Sequence, residues 1–261
     1  MFGFNRYDVR LLLNLFKMNV RDRYLGSSLG SLWAIVNPLF MLCLYTYVFG
    51  FIFKVRLPGA ETTLDYVVWL ISGYGPWIAT AEAVMASASS VFGASGMVKN
   101  MAFKTELLPI AGALIGTISL TVSSVFVLIL MLYAGNTPTW HVILLPVVIV
   151  VQFAWIIALG MWLSAITVFV RDLMQVLPNL LTVIVFVTPI FYPFSSMPSV
   201  VQKLSLGNPF YHLAESYRSI LIGHQVPNVG GLIFVAVLSA IVFYFGLAAF
   251  RRAKGYFDSA L

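Results

Sequence analysis

Glu82 is the one charged side chain inside the apolar run from Tyr66 to Val98, and its carboxyl group is the first candidate for chemistry in this sequence. A charge at the bilayer centre costs ~2.5–3.5 kcal/mol on insertion scales, so such a group faces a bundle interior, a partner subunit or water. Two roles fit: a polar contact in a conduit or between coupled helices, or a carboxylate near the cytoplasmic end that snorkels to the interface. The remaining reactive inventory is poor. His141, His212 and His224 stand far apart without Cys or carboxylate neighbours at ligand spacing, so no metal site is expected. A single cysteine, Cys43, cannot form an intrachain disulfide. The glycine cluster FGASGMVKN lacks the spacing and the terminal hydroxyl residue of a phosphate-cradling loop, G-x-x-x-x-G-K-[ST]. No serine nucleophile elbow is present either. A chain with no catalytic residue, no metal and no nucleotide site of its own is the expectation.

The elements that would position Glu82 follow from composition. The 261 residues are 61% hydrophobic and only 9% charged, with a mean hydropathy of +0.96, where soluble domains carry about 25% charged residues. Lipid is therefore the main solvent. Charge-free runs extend over 24–53, 107–170, 173–202 and 219–250, and a helix needs about 20 apolar residues to cross a ~30 Å hydrocarbon core. The pattern predicts an all-α integral membrane domain over 1–261, with six spans at 31–53, 66–90, 107–134, 143–169, 177–193 and 230–250. The short apolar stretch Leu11–Phe16, followed by Lys17, Arg21 and Arg23, does not resemble a cleaved signal.

Loop charges set the expected orientation. With both termini cytoplasmic, the inside carries Arg6, Arg10, Lys17, Arg21, Arg23, Lys99, Lys104, Arg171, Arg251, Arg252 and Lys254, against Lys54, Arg56, Lys203 and Arg218 outside, 11 to 4. Such basic residues at membrane boundaries, rather than on one polar surface, argue against nucleic acid as a partner. Within 6–25 the polar residues Arg6, Arg10, Asn14, Lys17 and Arg21 recur every three or four positions, with Val9, Leu12, Leu13, Phe16 and Val20 on another face. That spacing predicts an amphipathic helix on the cytoplasmic surface, the alternative being a soluble arm. Gly112 and Gly116 have the spacing that lets two helices approach in lipid, or are glycines merely tolerated there.

Trp33, Phe40 and Tyr47 recur every seven residues along the first span, and rings with polar handles suit sliding contact with sugar C–H faces and hydroxyls. An interfacial aromatic belt is the competing explanation, and the better one for Tyr66 and Trp69. The connection holding Lys99, Lys104 and Glu106 mixes polar and apolar residues, as a solvated loop or as a short helix that a soluble partner grips. Between the fifth and sixth spans, two stretches near 199–206 and 211–222 are too short to cross and are punctuated by Pro193, Pro198, Pro209 and Pro227. A re-entrant gate and a packed external loop both fit them.

The segment RYLGSSLGSLWAIVNPLFMLCLYTYVFG, then RDLMQVLPNLL, TPIFYPFSSMP and GNPFYHLAESYRSILIG, resemble in order and spacing the permeases of type 2 ABC exporters, particularly those moving O-antigen, capsule and teichoic-acid polysaccharides. The resemblance covers nearly the whole chain. It implies a homodimer of six-helix subunits in the bacterial inner membrane, with a channel for lipid-linked polysaccharide between them. Each subunit would dock one separate nucleotide-binding ATPase, and ATP and Mg would bind there rather than on this chain. It further implies that 93–105 is the coupling helix flanked by an interfacial helix within 1–28, with Arg6, Arg10, Lys17, Lys99, Lys104 and Glu106 at the ATPase contact. Trp33, Phe40, Tyr47 and Glu82 would line the channel. Gate helices would lie in 195–222, with Phe191, Tyr192, Pro198, Pro209, Phe210 and Tyr211 at the gate. A permease for lipid or drug efflux is the alternative, and an integral-membrane glycan-modifying enzyme a further one that the scarcity of acids and bases disfavours.

Overall fold

The computed structural model describes residues 5–55, 62–101 and 103–260, apart from the side chains of residues 258 and 259. Arg56, assigned above to the outer side, lies outside the described residues. Among the described residues there are twelve α-helices and four 3-10 or π turns, and no strand.

The first helix, α1 (Arg6–Arg23), starts where the Asn5 amide donates to Asp8 Oδ2 at 2.8 Å. Leu15 is its buried anchor, and Leu11, Leu12 and Met18 share that face. Arg6, Arg10 and Lys17 point to solvent. α2 (Trp33–Tyr47) is extended by a 3-10 turn at Gly30–Leu32 and a π turn at Val48–Ile52, giving a 23-residue apolar unit of which only 11% of the most apolar window is buried.

α3 (Thr63–Gly93) is the central post. Its 31 residues rise ~46 Å, ample for a membrane, and it packs against α2, α5 (Leu107–Ala113), α6 (Gly116–Tyr133), α7 (Leu145–Phe169) and α10 (Pro209–Leu221). Protein rather than lipid is its neighbour, so small and hydroxylated residues such as Ser72, Ala79, Thr80, Ala83, Ser87 and Ala88 serve it better than leucines. A Cβ on Gly112 would stand 2.7 Å from Ala86 O and one on Gly116 2.5 Å from Ala79 O, so these two glycines are where α5 and α6 press on the α3 backbone. The predicted unbroken helix over 107–134 is accordingly two helices, tightened at Leu114–Ile115 by bonds such as Ile115 N–H to Gly112 O.

Among the described residues four units are long and apolar enough to cross a membrane: Gly30–Ile52, Leu107–Tyr133, Trp140–Phe169 and Val229–Lys254. The last coincides with α11 and packs along α7, which a 3-10 turn at Trp140–Leu144 precedes. α8 (Leu173–Val187) has 15 residues and ends six residues before the predicted limit of 193. Pro189 is the reason, because proline disfavours helix in the residue before it, and Thr188 is extended at φ −80°, ψ 135°.

The helical part of the predicted coupling segment is short, α4 (Ser95–Asn100). α9 (Ser199–Ser205) and α10 occupy the connection before α11, and α12 (Phe257–Ala260) follows it. Apolar side chains bury in three clusters: one around α3, one joining α1 to the end of α11 through Leu15, Leu108, Phe250 and Phe257, and one between α7, α10 and α11.

Candidate functional site

A cavity of about 570 Å3 opens between α2, α3 and α8. Phe40, Met41 and Tyr45 line it from α2; Tyr74, Trp77, Ile78 and Glu82 from α3; and Pro178, Leu181, Thr182 and Phe186 from α8. Helical spacing creates these walls: Tyr74, Trp77, Ile78 and Glu82 fall at the i, i+3, i+4, i+8 positions of one face.

Glu82 closes one end of this groove. It accepts hydrogen bonds from Arg23 at the end of α1 and from the Ser119 hydroxyl of α6. Thr63 and Glu82 are separated along α3 by ~29 Å at 1.5 Å per residue, close to one hydrocarbon thickness. The ion pair, with side chains 32% and 22% exposed, therefore occupies a boundary position if α3 starts at the opposite boundary. Among the described residues no group of three or more His, Cys, Asp or Glu could hold a metal. Aromatic faces with a few hydroxyls and one paired carboxylate can bind and guide a polar, C–H-rich chain.

Phe40 and Glu82 thus share one groove, whereas Trp33 and Tyr47 are outside its lining. A seven-residue stripe drifts ~20° per heptad around a straight helix, and Tyr47 stacks instead on Phe51, ring centroids 6.1 Å apart. Sequence reasoning missed the roles of Arg23, Ser119 and Thr182. For Arg23 a signal existed, since it is the basic residue immediately before the first apolar run and Glu82 is the acid within another.

The gate candidates gather where α8 ends. Phe191 is buried beside Tyr45, Tyr74 and Phe186. The Tyr192 hydroxyl donates to Phe186 O at 2.5 Å. Phe210 sits edge-on to Trp77 at 5.2 Å, and Tyr211 stacks on Phe194 at 5.0 Å. Pro198 and Pro209 stand immediately before and at the first positions of α9 and α10. Behind them Gln152 of α7 donates to Pro76 O at 3.0 Å and Thr80 Oγ1 at 2.9 Å and accepts from the Tyr217 hydroxyl at 2.5 Å, tying α3, α7 and α10 together. Arg218, expected as an outer loop charge, is instead 3% exposed and directed into the bundle.

At the other end of α3, residues 103–106 lie between α1 and the end of α11. Lys104 Nζ donates to Asp8 Oδ2 at 2.5 Å, Arg251 Nε to Glu106 Oε1 at 3.2 Å, and Lys254 Nζ to Phe103 O at 3.4 Å. The Lys104 ammonium, and then the Asn5 amide, hold the Asp8 carboxyl below its ordinary value against the opposing effect of burial. Thr105 Oγ1 and Glu106 Oε2 are buried with no hydrogen-bond partner. Lys99 is exposed on α4, separate from the Lys104–Asp8 contact. The partners of Lys104 and Glu106, Asp8 and Arg251, were not singled out, because nothing local marks pairs 96 and 145 residues apart.

Residues 10–222 match the ABC-2 type transporter family. The chain belongs to that family. This ABC-2 chain is 29% identical over 253 residues to the O-antigen export system permease protein RfbA of Myxococcus xanthus, spanning 96% of this chain and 95% of that protein. It is 25% identical over 262 residues to the O-antigen export system permease protein RfbA of Klebsiella pneumoniae, covering 98% and 96%. The polysialic acid transport protein KpsM of Escherichia coli is 24% identical over 244 residues, 92% of each chain.

Proposed function

We propose that this chain is the membrane-spanning permease of an ATP-driven exporter that moves lipid-linked polysaccharide of the O-antigen class outward across a bacterial inner membrane. One observation carries the reading: relatives matched over 92% or more of both chains are named as permeases or transport proteins for O-antigen or polysialic acid. The groove supports it, because its aromatic walls and hydroxyls suit a sugar chain better than a uniformly greasy molecule.

In this reading six segments cross the membrane: the four apolar units, α3, whose lower hydropathy follows from its protein neighbours, and α8 with the irregular residues after it. Both termini are cytoplasmic, α9 and α10 form a re-entrant outer cap, and two copies face each other with their grooves forming one conduit. Two copies of a separate ATPase, which binds ATP and Mg, grip α4 and residues 103–106. A nucleotide shifts such an equilibrium only by its differential affinity for the two states. The driving energy therefore enters through the cytoplasmic corner, where α1, residues 103–106 and α11 move as one unit.

The experiment is twofold. Deleting the gene should leave glycan accumulated on its lipid carrier in the cytoplasm, and the purified chain with its ATPase should form a two-plus-two complex whose ATP turnover rises with lipid-linked glycan. An unaltered glycan pool, or stimulation by apolar drugs instead of glycan, would sink it.

A further inference from the structure

We propose that Arg218 is a positioning residue that locks Phe191 as the plug of the groove's outer end, with Tyr66 sharing the lock and Gly73 giving it room. The proposal rests on the groove being the conduit.

Beyond Val187 the backbone runs irregularly, so its carbonyls lack helical donors. At membrane depth such backbone persists only where protein groups satisfy it. Three successive carbonyls are satisfied by side chains from other helices. Arg218 donates from Nη1 to Pro189 O at 2.8 Å and from Nη2 to Ile190 O at 2.7 Å, and the Tyr66 hydroxyl donates to Phe191 O at 2.7 Å. The same guanidinium lies 3.7 Å over the Trp69 ring and donates from Nε to Trp69 O at 3.3 Å, while Glu215 Oε2 stands 3.6 Å from Nη1. A planar fork makes all these contacts at once, which a lysine cannot. Gly73 is the socket: a Cβ there would stand 2.7 Å from Nη2.

What the lock holds is the Phe191 ring. Its centroid lies 5.4 Å from Tyr45, 5.4 Å from Tyr74 and 5.3 Å from Phe186, three residues that also line the groove. The ring packs behind these three lining residues at the end of the groove towards the start of α3, and in this proposal nothing leaves that way until it moves. Because the carbonyls of 189–191 are hydrogen-bonded to side chains of α10 and α3, the plug moves only when that lock shifts, not as a free flap.

The test is ion conductance of the full-length chain in planar bilayers without ATPase or ATP. Phe191→Ala should conduct severalfold more than wild type, with Arg218→Gln and Gly73→Ala next, Tyr66→Phe smaller, and Arg218→Lys no better than Arg218→Gln. A merely structural role would lower yield and melting temperature yet leave the bilayers as tight as wild type. Tight bilayers with Phe191→Ala would overturn the plug. Leak from Phe191→Ala with tight, monodisperse Arg218→Gln and Gly73→Ala would overturn the lock. If those two fail to fold, Tyr66→Phe decides, and tightness there overturns it. Glycan export by the wild type with tight variants sinks this proposal alone; a deletion strain without trapped glycan sinks the export reading beneath it.

Discussion

Where α8 ends, the carbonyls of residues 189–191 each meet a buried side-chain donor, and Gln152, Thr80 and Tyr217 close a second network beside them. At the far end of α3 the polar groups are handled differently: the ion pairs of Lys104 and Arg251 are about half exposed on the basic side, and Thr105 Oγ1 and Glu106 Oε2 are buried with nothing to bond. Networks that satisfy themselves are rigid and need no partner, although beside these two networks Trp155 Nε1, against Phe210, is buried without a bond. The two unmet oxygens of Thr105 and Glu106 have capacity left for another surface, which suits a docking corner.

The sharpest way to break this contrast is at the satisfied end. Arg218→Met leaves two buried carbonyls without donors and should cost about 3 kcal/mol, at 1–3 kcal/mol per unsatisfied group, read as a large drop in thermal melting in detergent. Gln152→Leu, which strands the Tyr217 hydroxyl and removes the donor to Thr80 Oγ1, should cost about 1–2 kcal/mol, the upper range for hydrogen bonds between membrane helices. The docking corner should behave oppositely. Arg251→Gln should cost under ~1 kcal/mol, as partly exposed ion pairs do, while reducing ATP-driven export, and a melting loss equal to that of Gln152→Leu would erase the distinction.

The smallest effect is a pH dependence. The Asp8 carboxyl titrates lower in the folded chain than when unfolded, so its contribution is fully present above the ordinary value of about 3.9 and is lost as pH falls through the depressed one. Amide protection of α1 followed by hydrogen exchange should decline over that acidic window, and Asp8→Asn should remove the dependence.

Much of the bundle was legible because lipid imposes its own rule: long charge-free runs can be little else than helices. The limits of that rule also explain the errors. TPIFYPF is apolar enough to extend a predicted span to residue 193, but Pro189 ends helical geometry at Val187. Arg218 looked like an ordinary loop cation because the carbonyls it meets belong to residues 28 and 29 positions away, and backbone acceptors leave no mark in a sequence. Phe40 and Glu82 could be named, yet Tyr45 and Phe186 could not, since which face of α2 or α8 turns towards α3 is decided by packing.

α3 also has a consequence for how the chain is made. Its carboxylates and small residues suit protein neighbours, yet it leaves the ribosome before α5, α6, α7 and α10, the helices that cover it. For the time needed to synthesise the next hundred or so residues, the central post of the finished bundle is its least comfortable segment in lipid. The insertion machinery must shelter it, so crosslinks between α3 and that machinery should persist in truncated nascent chains until α7 has emerged.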